Sequence, residues 1–370
     1  MMESEGALES SRPRESVRMI TIGVVARNES LALPRVLTAL GEQTFDHRRI
    51  EVILVDSRST DGTLAMMNGF SARSADEFHR VCVLTNEVVT QAAGWNLVVE
   101  NMTGDALIRI DAHALIPPEF VSLNVARLDS GEDVCGGRRP CVAGSDTDWA
   151  DTLLSVENSL LGSSVGRADN AQVPGPVKTV FHAAYRRAVF ARVGGFNENL
   201  LRTEDNELHA RVRQAGYRIA FDPEIISWQQ ARGTLRAMLR QKYGNGLWVA
   251  QTLGVRPSAV SVYHFAPLAF LLAIVVSLML AAGGLVWPAV FLMVVYGVFI
   301  AFAVVSIVRE KRLSWMMLAT PLVFLLLHLS YGLGSVVGMV KLPFVASRLR
   351  KCGRIEEVRM RVVEGMTTCE

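Results

Sequence analysis

The chain of 370 residues is long enough for two or three domains, and half of it is hydrophobic while a fifth is charged, which excludes a disordered chain. A formal charge of only +2 argues against nucleic acid as a partner, since massed phosphate neutralisation needs a strongly basic surface. The five cysteines, at positions 82, 135, 141, 352 and 369, contain no C-x-x-C pair and argue against a disulfide framework or a thiolate zinc site.

Residues 1–16 are polar and charged, and read as a disordered leader. No apolar run of signal-peptide type follows, so the globular part is expected to stay in the cytoplasm. From residue 17 onward short β-branched runs alternate with helical spacing. VRMITIGVVA (17–26), EVILVD (51–56), VCVLT (81–85) and ALIRI (106–110) suit strands buried on both faces of a parallel sheet. Between them 30–43, 60–72 and 87–102 carry helical periodicity, with Ser30 and Thr60 as expected N-caps. The alternation predicts an α/β, doubly wound, Rossmann-like and mostly parallel sheet.

In such a sheet ligands bind at the carboxyl ends of the strands. Three predicted strands run into polar residues there: Asn28 and Glu29, Asp56, and Asp111 with His113. A lone strand-end Asp usually reads as a cap for the next helix, but three such strand ends converging on one edge point to a site. Asp111 and His113 are two apart on an extended segment and project to one side, where an oxygen and an imidazole reach one ion. That pair suits Mg²⁺ or Mn²⁺ beside a phosphate-bearing substrate; the alternative is a hydrogen-bonded His113 with no ligand role. Further on, Glu204, Asp205 and Glu207 open a predicted helix, a placement that the helix dipole also favours. A carboxylate crowded by others has its pKa raised and makes a better general base. Arg232, Arg236 and Arg240 follow, suited to gripping a departing diphosphate.

Residues 234–253 mix basic, aromatic and aliphatic side chains at helical spacing, as an interfacial amphipathic helix or an ordinary surface helix would. Residues 265–308 then carry no Asp, Glu, Lys or Arg, about twice the roughly 20 residues needed to span a bilayer. They predict a hairpin of helices at about 265–283 and 286–308, and 315–340 is a third apolar stretch. With the N-terminal domain inside, Arg309, Lys311 and Arg312 also fall inside. A full third crossing would put Arg348, Arg350, Lys351 and Arg354 outside, against the same rule. The third segment is therefore re-entrant, a broken hairpin or an exception, and the side of the tail stays open.

The order of these motifs resembles glycosyltransferase family 2, the inverting enzymes of GT-A fold. The residues that carry it are the strand–NE opening (Asn28, Glu29), VDSRSTDGT (55–63), the DxD-like IRIDAHA (108–114), and TEDNEL (203–208) ahead of a basic Q/R segment. CGGRR (135–139), YRRAVFARVGGFNENL (185–200) and the stretch from His328 to Gly334 are similar to the ExoA-like, succinoglycan-type branch. The resemblance implies a nucleotide-sugar donor, a UDP-sugar first of all, and a divalent cation. It implies donor contacts from Asn28, Glu29, Asp56, Asp111, Arg232 and Arg236, with Asp56 on the uracil or ribose. Asp111 and His113 would stand at the metal–diphosphate position, with Asp205 as catalytic base and Glu204 completing the acid pair. Ser57 stands where many members have a second Asp, and His113 replaces the second Asp of DxD. Gly233 in QQARG stands where processive members have Trp, which favours single addition over polymerisation. The expected layout is a GT-A domain (17–232), an interfacial segment (233–264), a transmembrane region (265–340) and a basic tail (341–370). The expected setting is the inner membrane of a bacterial-type cell, with a polyprenyl-linked saccharide as acceptor. The alternatives are sugar transfer to polyprenyl phosphate itself, or a non-catalytic nucleotide-sugar-binding scaffold.

Overall fold

The structure, a computed structural model, describes residues 15–143, 147–159, 162, 173–310 and 315–367. Most of the expected leader (1–14), Lys311, Arg312 and Cys369 therefore lie outside the described residues.

Four parallel strands form one half of the main sheet: β1 (Ile20–Ala26), β2 (Ile50–Asp56), β3 (Arg80–Thr85) and β4 (Ala106–Asp111). All seven residues of β2 are buried, which explains its nearly continuous hydrophobic run: both faces are covered, and the one charge inside it, Glu51, is met by Thr21, Arg80 and Thr103. The covering helices are α1 (Leu33–Gly41), α2 (Thr63–Ser74) and α3 (Gln91–Asn101), the last capped by Thr90 Oγ1, which accepts from Ala93 N–H at 3.2 Å. After the short β5 (Ala114–Leu115) come α4 (Phe120–Asp129), β6 (Val134–Arg138), β7 (Cys141–Val142) and α5 (Asp148–Asn158). The second half of the domain holds β8 (Gly175–Pro176), β9 (Phe181–Arg186), α6 (Arg187–Val193), α7 (Glu204–Gln214), β10 (Ile219–Ile226) and β11 (Trp228–Gln230).

The main sheet has the order β3-β2-β1-β4-β9-β6-β10-β8, with β9 antiparallel to both of its neighbours; a second sheet, β5-β11-β7, lies beyond the strand ends. Register sets the site. The last two residues of β1 pair in opposite directions, Ala26 with Asp56 and Val25 with Asp111. Two acids thus flank the end of β1 at one level, on the carboxyl edge and at the point where the strand order reverses. With strands about 4.8 Å apart, they stand on the order of 10 Å from each other.

Past the sheet come α8 (Leu235–Val255), α9 (Ala266–Ala282), α10 (Trp287–Glu310), α11 (Thr320–Arg350) and α12 (Arg354–Thr367). Three segments here are long and apolar enough to cross a membrane: Val262–Ala282, Trp287–Ile307 and the one that begins at Trp315. The expected caps moved. The helix predicted from Ser30 starts at Leu33 and the one predicted from Thr60 at Thr63, and the backbone of both residues belongs to a loop clasp ahead of the helices. Ser30 N–H donates to Asp61 Oδ2 at 3.0 Å, and Thr60 N–H to Asn28 Oδ1 at 2.8 Å.

Candidate active site

The carboxyl edge gathers most of the residues singled out by sequence. Asp56 is buried at the end of β2; its Oδ2 accepts from Ser59 N–H at 3.1 Å, while Oδ1 has no hydrogen-bond partner among the described residues. Asn28 uses its side-chain oxygen on the clasp, and Glu29 N–H donates to Thr63 Oγ1 at 2.9 Å. The Glu29 carboxylate faces His113, with Oε1 at 3.3 Å from Nδ1, and Gln229 Nε2 of β11 lies 3.3 Å from the other ring nitrogen. Contact with Glu29 raises the His113 pKa against the effect of burial, with Asp111 assisting.

Asp111 sits at the tip of β4. Its Oδ2 lies 3.3 Å from His182 Nε2 on β9, and its Oδ1 accepts from Gln91 Nε2 at 3.4 Å. Burial alone would raise its pKa, but His182, Arg109 and His113 together hold the carboxyl below the ordinary range, so it is ionised. His182 is itself buried, with Nδ1 at 2.8 Å from Ser227 Oγ; burial lowers its pKa despite Asp111 and leaves the ring neutral.

Arg109 links this group to the next. Two residues back on β4, its Nη2 stands 4.0 Å from Asp111 and 4.0 Å from Glu204 at the start of α7. The guanidinium lies over Trp95 at 4.7 Å and Phe196 at 5.5 Å, so cation–π contact and charge together hold a buried cation in place. Burial, then the charge of Asp205, push the Glu204 carboxyl up to about 7. Asp205 is more open, its Oδ1 accepting from Asn206 N–H at 2.7 Å. Behind the acids, Tyr185 OH and His209 Nε2 are 2.7 Å apart.

Backbone strain concentrates at this edge. Asn28 (φ 54°), His182 (φ 46°) and Thr203 (φ 66°) all occupy the left-handed region, which costs a non-glycine residue about 1–3 kcal/mol. Thr203 immediately precedes the acid pair, and its Oγ1 lies 2.6 Å from Thr252 Oγ1 on α8, an anchor that helps hold the turn.

The described residues hold no cluster of three or more His, Cys, Asp or Glu that would cage a metal ion by themselves. An ionised, partly exposed Asp111 fits a cation held mainly by substrate phosphate and water, where the protein gives only one or two ligands. His113 lies in the turn after β4, not on the extended segment expected from sequence, and its two ring nitrogens face Glu29 and Gln229, so it would have to release one of them to join as a ligand.

A family model described as Glycosyl transferase family 2 matches residues 21–194. Residues 21–194 are a glycosyltransferase family 2 domain. A second model, described as Glycosyl transferase family 21, matches residues 178–331. The chain is 31% identical over 198 residues to the succinoglycan biosynthesis protein ExoA of Rhizobium meliloti (strain 1021), which is 53% of this chain and 58% of the relative. The match therefore spans little more than half of that relative's length. A longer match, 21% identical over 332 residues, covers 88% of this chain and 98% of the dolichyl N-acetyl-alpha-D-glucosaminyl phosphate 3-beta-D-2,3-diacetamido-2,3-dideoxy-beta-D-glucuronosyltransferase of Methanococcus voltae. Among solved structures, the mannosyltransferase PcManGT from Pyrobaculum calidifontis in complex with GDP-Man and Mn²⁺ aligns with 97% of this chain and 89% of its own. Its identity is 16% and its TM-score 0.49.

The structure brings Asp111, His113 and Glu29 of this family 2 domain together with Glu204 and Asp205, which follow it in the chain, and places Asp56 across β1. Arg232 is exposed after β11, near enough for its charge to act on His113 and Arg202. Arg236 is exposed in the first turn of α8 and is not joined to the others among the described residues. Sequence reasoning missed Arg109, His182 and Gln229. A charged residue inside the apolar ALIRID run was the available signal for Arg109.

Proposed function

We propose that the chain is a membrane-bound, inverting glycosyltransferase that moves one sugar from a nucleotide-diphosphate sugar to a hydroxyl of a polyprenyl-linked saccharide in cell-surface polysaccharide synthesis. The observation that carries the reading is the position of Arg109 between Asp111 and Glu204: one buried cation joins a strand-end acid on the donor side to an acid pair on the acceptor side. The names of the relatives support it, one a succinoglycan biosynthesis protein and the other a transferase acting on a dolichyl-linked sugar phosphate.

Each residue then has a task. The unpartnered Asp56 Oδ1 accepts an N–H or O–H of the nucleoside. Asp111, with His113 beside it, would hold a divalent cation, which when bound neutralises charge on the diphosphate. Arg232 adds a charge-assisted contact to the same phosphates as they leave. Asp205 takes the proton of the acceptor hydroxyl as its oxygen attacks the anomeric carbon. The bond from that carbon to the diphosphate breaks, the electron pair departs with the diphosphate, and a single in-line displacement inverts the centre. Arg109 stabilises the carboxylates around it and keeps the acid pair in position.

The test uses purified membranes supplied with labelled UDP-, GDP- and dTDP-sugars and a polyprenyl-linked acceptor. One donor should yield a lengthened lipid-linked saccharide, and Asp205→Asn should lose transfer while still binding that donor. A phosphate-linked monosaccharide as sole product would assign transfer to polyprenyl phosphate itself. No turnover with any donor would leave a nucleotide-sugar-binding scaffold.

A further inference from the structure

The three apolar segments have unequal surroundings. Of the most apolar window in each, 6% is buried in Val262–Ala282, 17% in Trp287–Ile307 and 39% in the segment that starts at Trp315. The difference has a cause in α11. Near its start Val323, Phe324 and Leu327 share a core with Leu153 and Val156 of α5. At its far end the Leu349 carbonyl accepts from Asn197 Nδ2 at 2.9 Å, and the Arg348 carbonyl from Asn199 Nδ2 at 3.0 Å. A helix of 31 residues is about 46 Å long, and a bilayer core is about 30 Å thick. Both ends of α11 touch the sheet domain, so they cannot lie on opposite faces of that core.

Along its middle α11 runs beside α8. Ser330 Oγ donates to the Leu239 carbonyl at 2.9 Å, a separation of 91 residues. Gly334 against Tyr243 and Gly338 against Leu247 keep the same offset, so the two helices are parallel. A Cβ on Gly334 would come within 2.0 Å of the Tyr243 carbonyl oxygen, so no larger residue permits this approach. The partner helix is itself laid along the domain: Lys242 Nζ meets Glu157 Oε1 at 2.9 Å on α5, and Arg256 Nε meets Glu207 Oε1 at 2.9 Å on α7.

The chain then returns to where it left. Val358 and Val362 of α12 are fully buried in one core with Trp95, Val98 and Phe190. Arg354 pairs with Glu100 at 2.7 Å and Glu198 at 3.2 Å, and Gly195 N–H donates to the Ile355 carbonyl at 3.1 Å. A chain that leaves a domain and rejoins its core has crossed the membrane an even number of times.

We propose that only α9 and α10 cross the bilayer, and that α11 lies along its surface beside α8 with its outer face against lipid. The segments before α9 and after α11 then lie on one side. That face carries Leu322, Leu333, Val340 and Phe344, which are 57%, 52%, 63% and 84% exposed. Their spacing of eleven, seven and four residues draws one stripe on a helix of 3.6 residues per turn, as an in-plane helix requires. Arg348, Arg350, Lys351 and Arg354 stay with the sheet domain, which removes the conflict with the positive-inside rule. The proposal rests on the membrane-bound reading above but not on its transferase chemistry.

The full chain is tagged with different epitopes at its two ends, with Leu285→Cys placed in the α9–α10 turn. In sealed spheroplasts an external protease should spare both epitopes, and an impermeant maleimide should label the Leu285→Cys chain above the unsubstituted one. Loss of one epitope only would overturn the proposal, as would an unlabelled turn with both epitopes protected. Loss of both with a protected turn would keep the even crossing number and overturn the cytoplasmic orientation alone. Nitroxides attached through Leu322→Cys, Leu333→Cys and Phe344→Cys should report one shared shallow depth. A series passing through the bilayer midplane would overturn the placement of α11.

Discussion

Arg109 Nη2 stands 4.0 Å from Asp111 Oδ1 and 4.0 Å from Glu204 Oε1, so one guanidinium answers two carboxylates that lie almost a hundred residues apart in the chain. Arg109→Met keeps an apolar stem between Trp95 and Phe196 and removes the charge. Transfer should fall by about 10²–10³-fold, the scale for losing one preorganised electrostatic partner. Arg109→Lys, which keeps a cation but not the planar stacking, should fall less. Equal losses in the two variants, measured as kcat/KM beside a thermal melt, would mean that stacking rather than charge is what matters.

Glu204 gives a pH dependence with a definite sign. Its carboxyl, with an ordinary value of 4.5, is pushed up to about 7 by burial and by Asp205. Between those values the folded chain holds a proton that the unfolded chain has released, so stability declines as pH rises through the window and levels off above it. Glu204→Gln removes that titration. Its thermal midpoint should depend less on pH between about 5 and 7, and at about pH 8 the variant should be the more stable by about 1–3 kcal/mol. Parallel melting curves for the two proteins across the window would contradict the raised value.

His182 addresses Asp111 from a buried, strained position on β9. His182→Ala should raise the Mg²⁺ or Mn²⁺ concentration for half-maximal transfer roughly 10–100-fold, as loss of a ligand's supporting contact does, with a smaller change in kcat. In the unsubstituted protein, chelator should abolish turnover, and added metal should restore it. Turnover indifferent to chelator would leave Asp111 with a hydrogen-bonding task only.

Glu207, 1% exposed at its side chain, binds Arg211 through both oxygens and Arg256 at 2.9 Å. Glu207→Ala strands two cations against one another where α7 meets the end of α8. It should destabilise the fold by about 3–5 kcal/mol, the scale for breaking a buried ion pair from one side. Denaturant unfolding in detergent checks it, and a loss below 1 kcal/mol would show that water reaches the site.

Much of the sheet was legible because a strand buried on both faces reads as a nearly continuous apolar run. IEVILVD and ALIRID do so, each broken by one buried charge, Glu51 and Arg109, and the acids closing them mark the carboxyl edge. Register was not legible: nothing local tells that Val25 pairs with Asp111 while Ala26 pairs with Asp56. His182 stayed hidden for the same reason, because β9 is inserted antiparallel between β4 and β6 from much later in the chain. Ser30 and Thr60 have the chemistry of helix caps, but their backbone N–H groups tie two loops about thirty residues apart, and each helix starts three residues later. Hydropathy likewise measured how apolar α11 is without seeing that α8 and α5 cover part of it.

The place of Val358 and Val362 has a consequence for synthesis of the chain. In the proposed arrangement the hairpin of α9 and α10 is threaded through the domain instead of being appended to it, so the groove lined by Trp95, Val98 and Phe190 stays open during synthesis until α12 emerges. On that proposal the hairpin would enter lipid while its parent core is still unfinished. A water-soluble version cannot be had by cutting before α9; it needs a linker that bypasses the hairpin and delivers α12 to its groove.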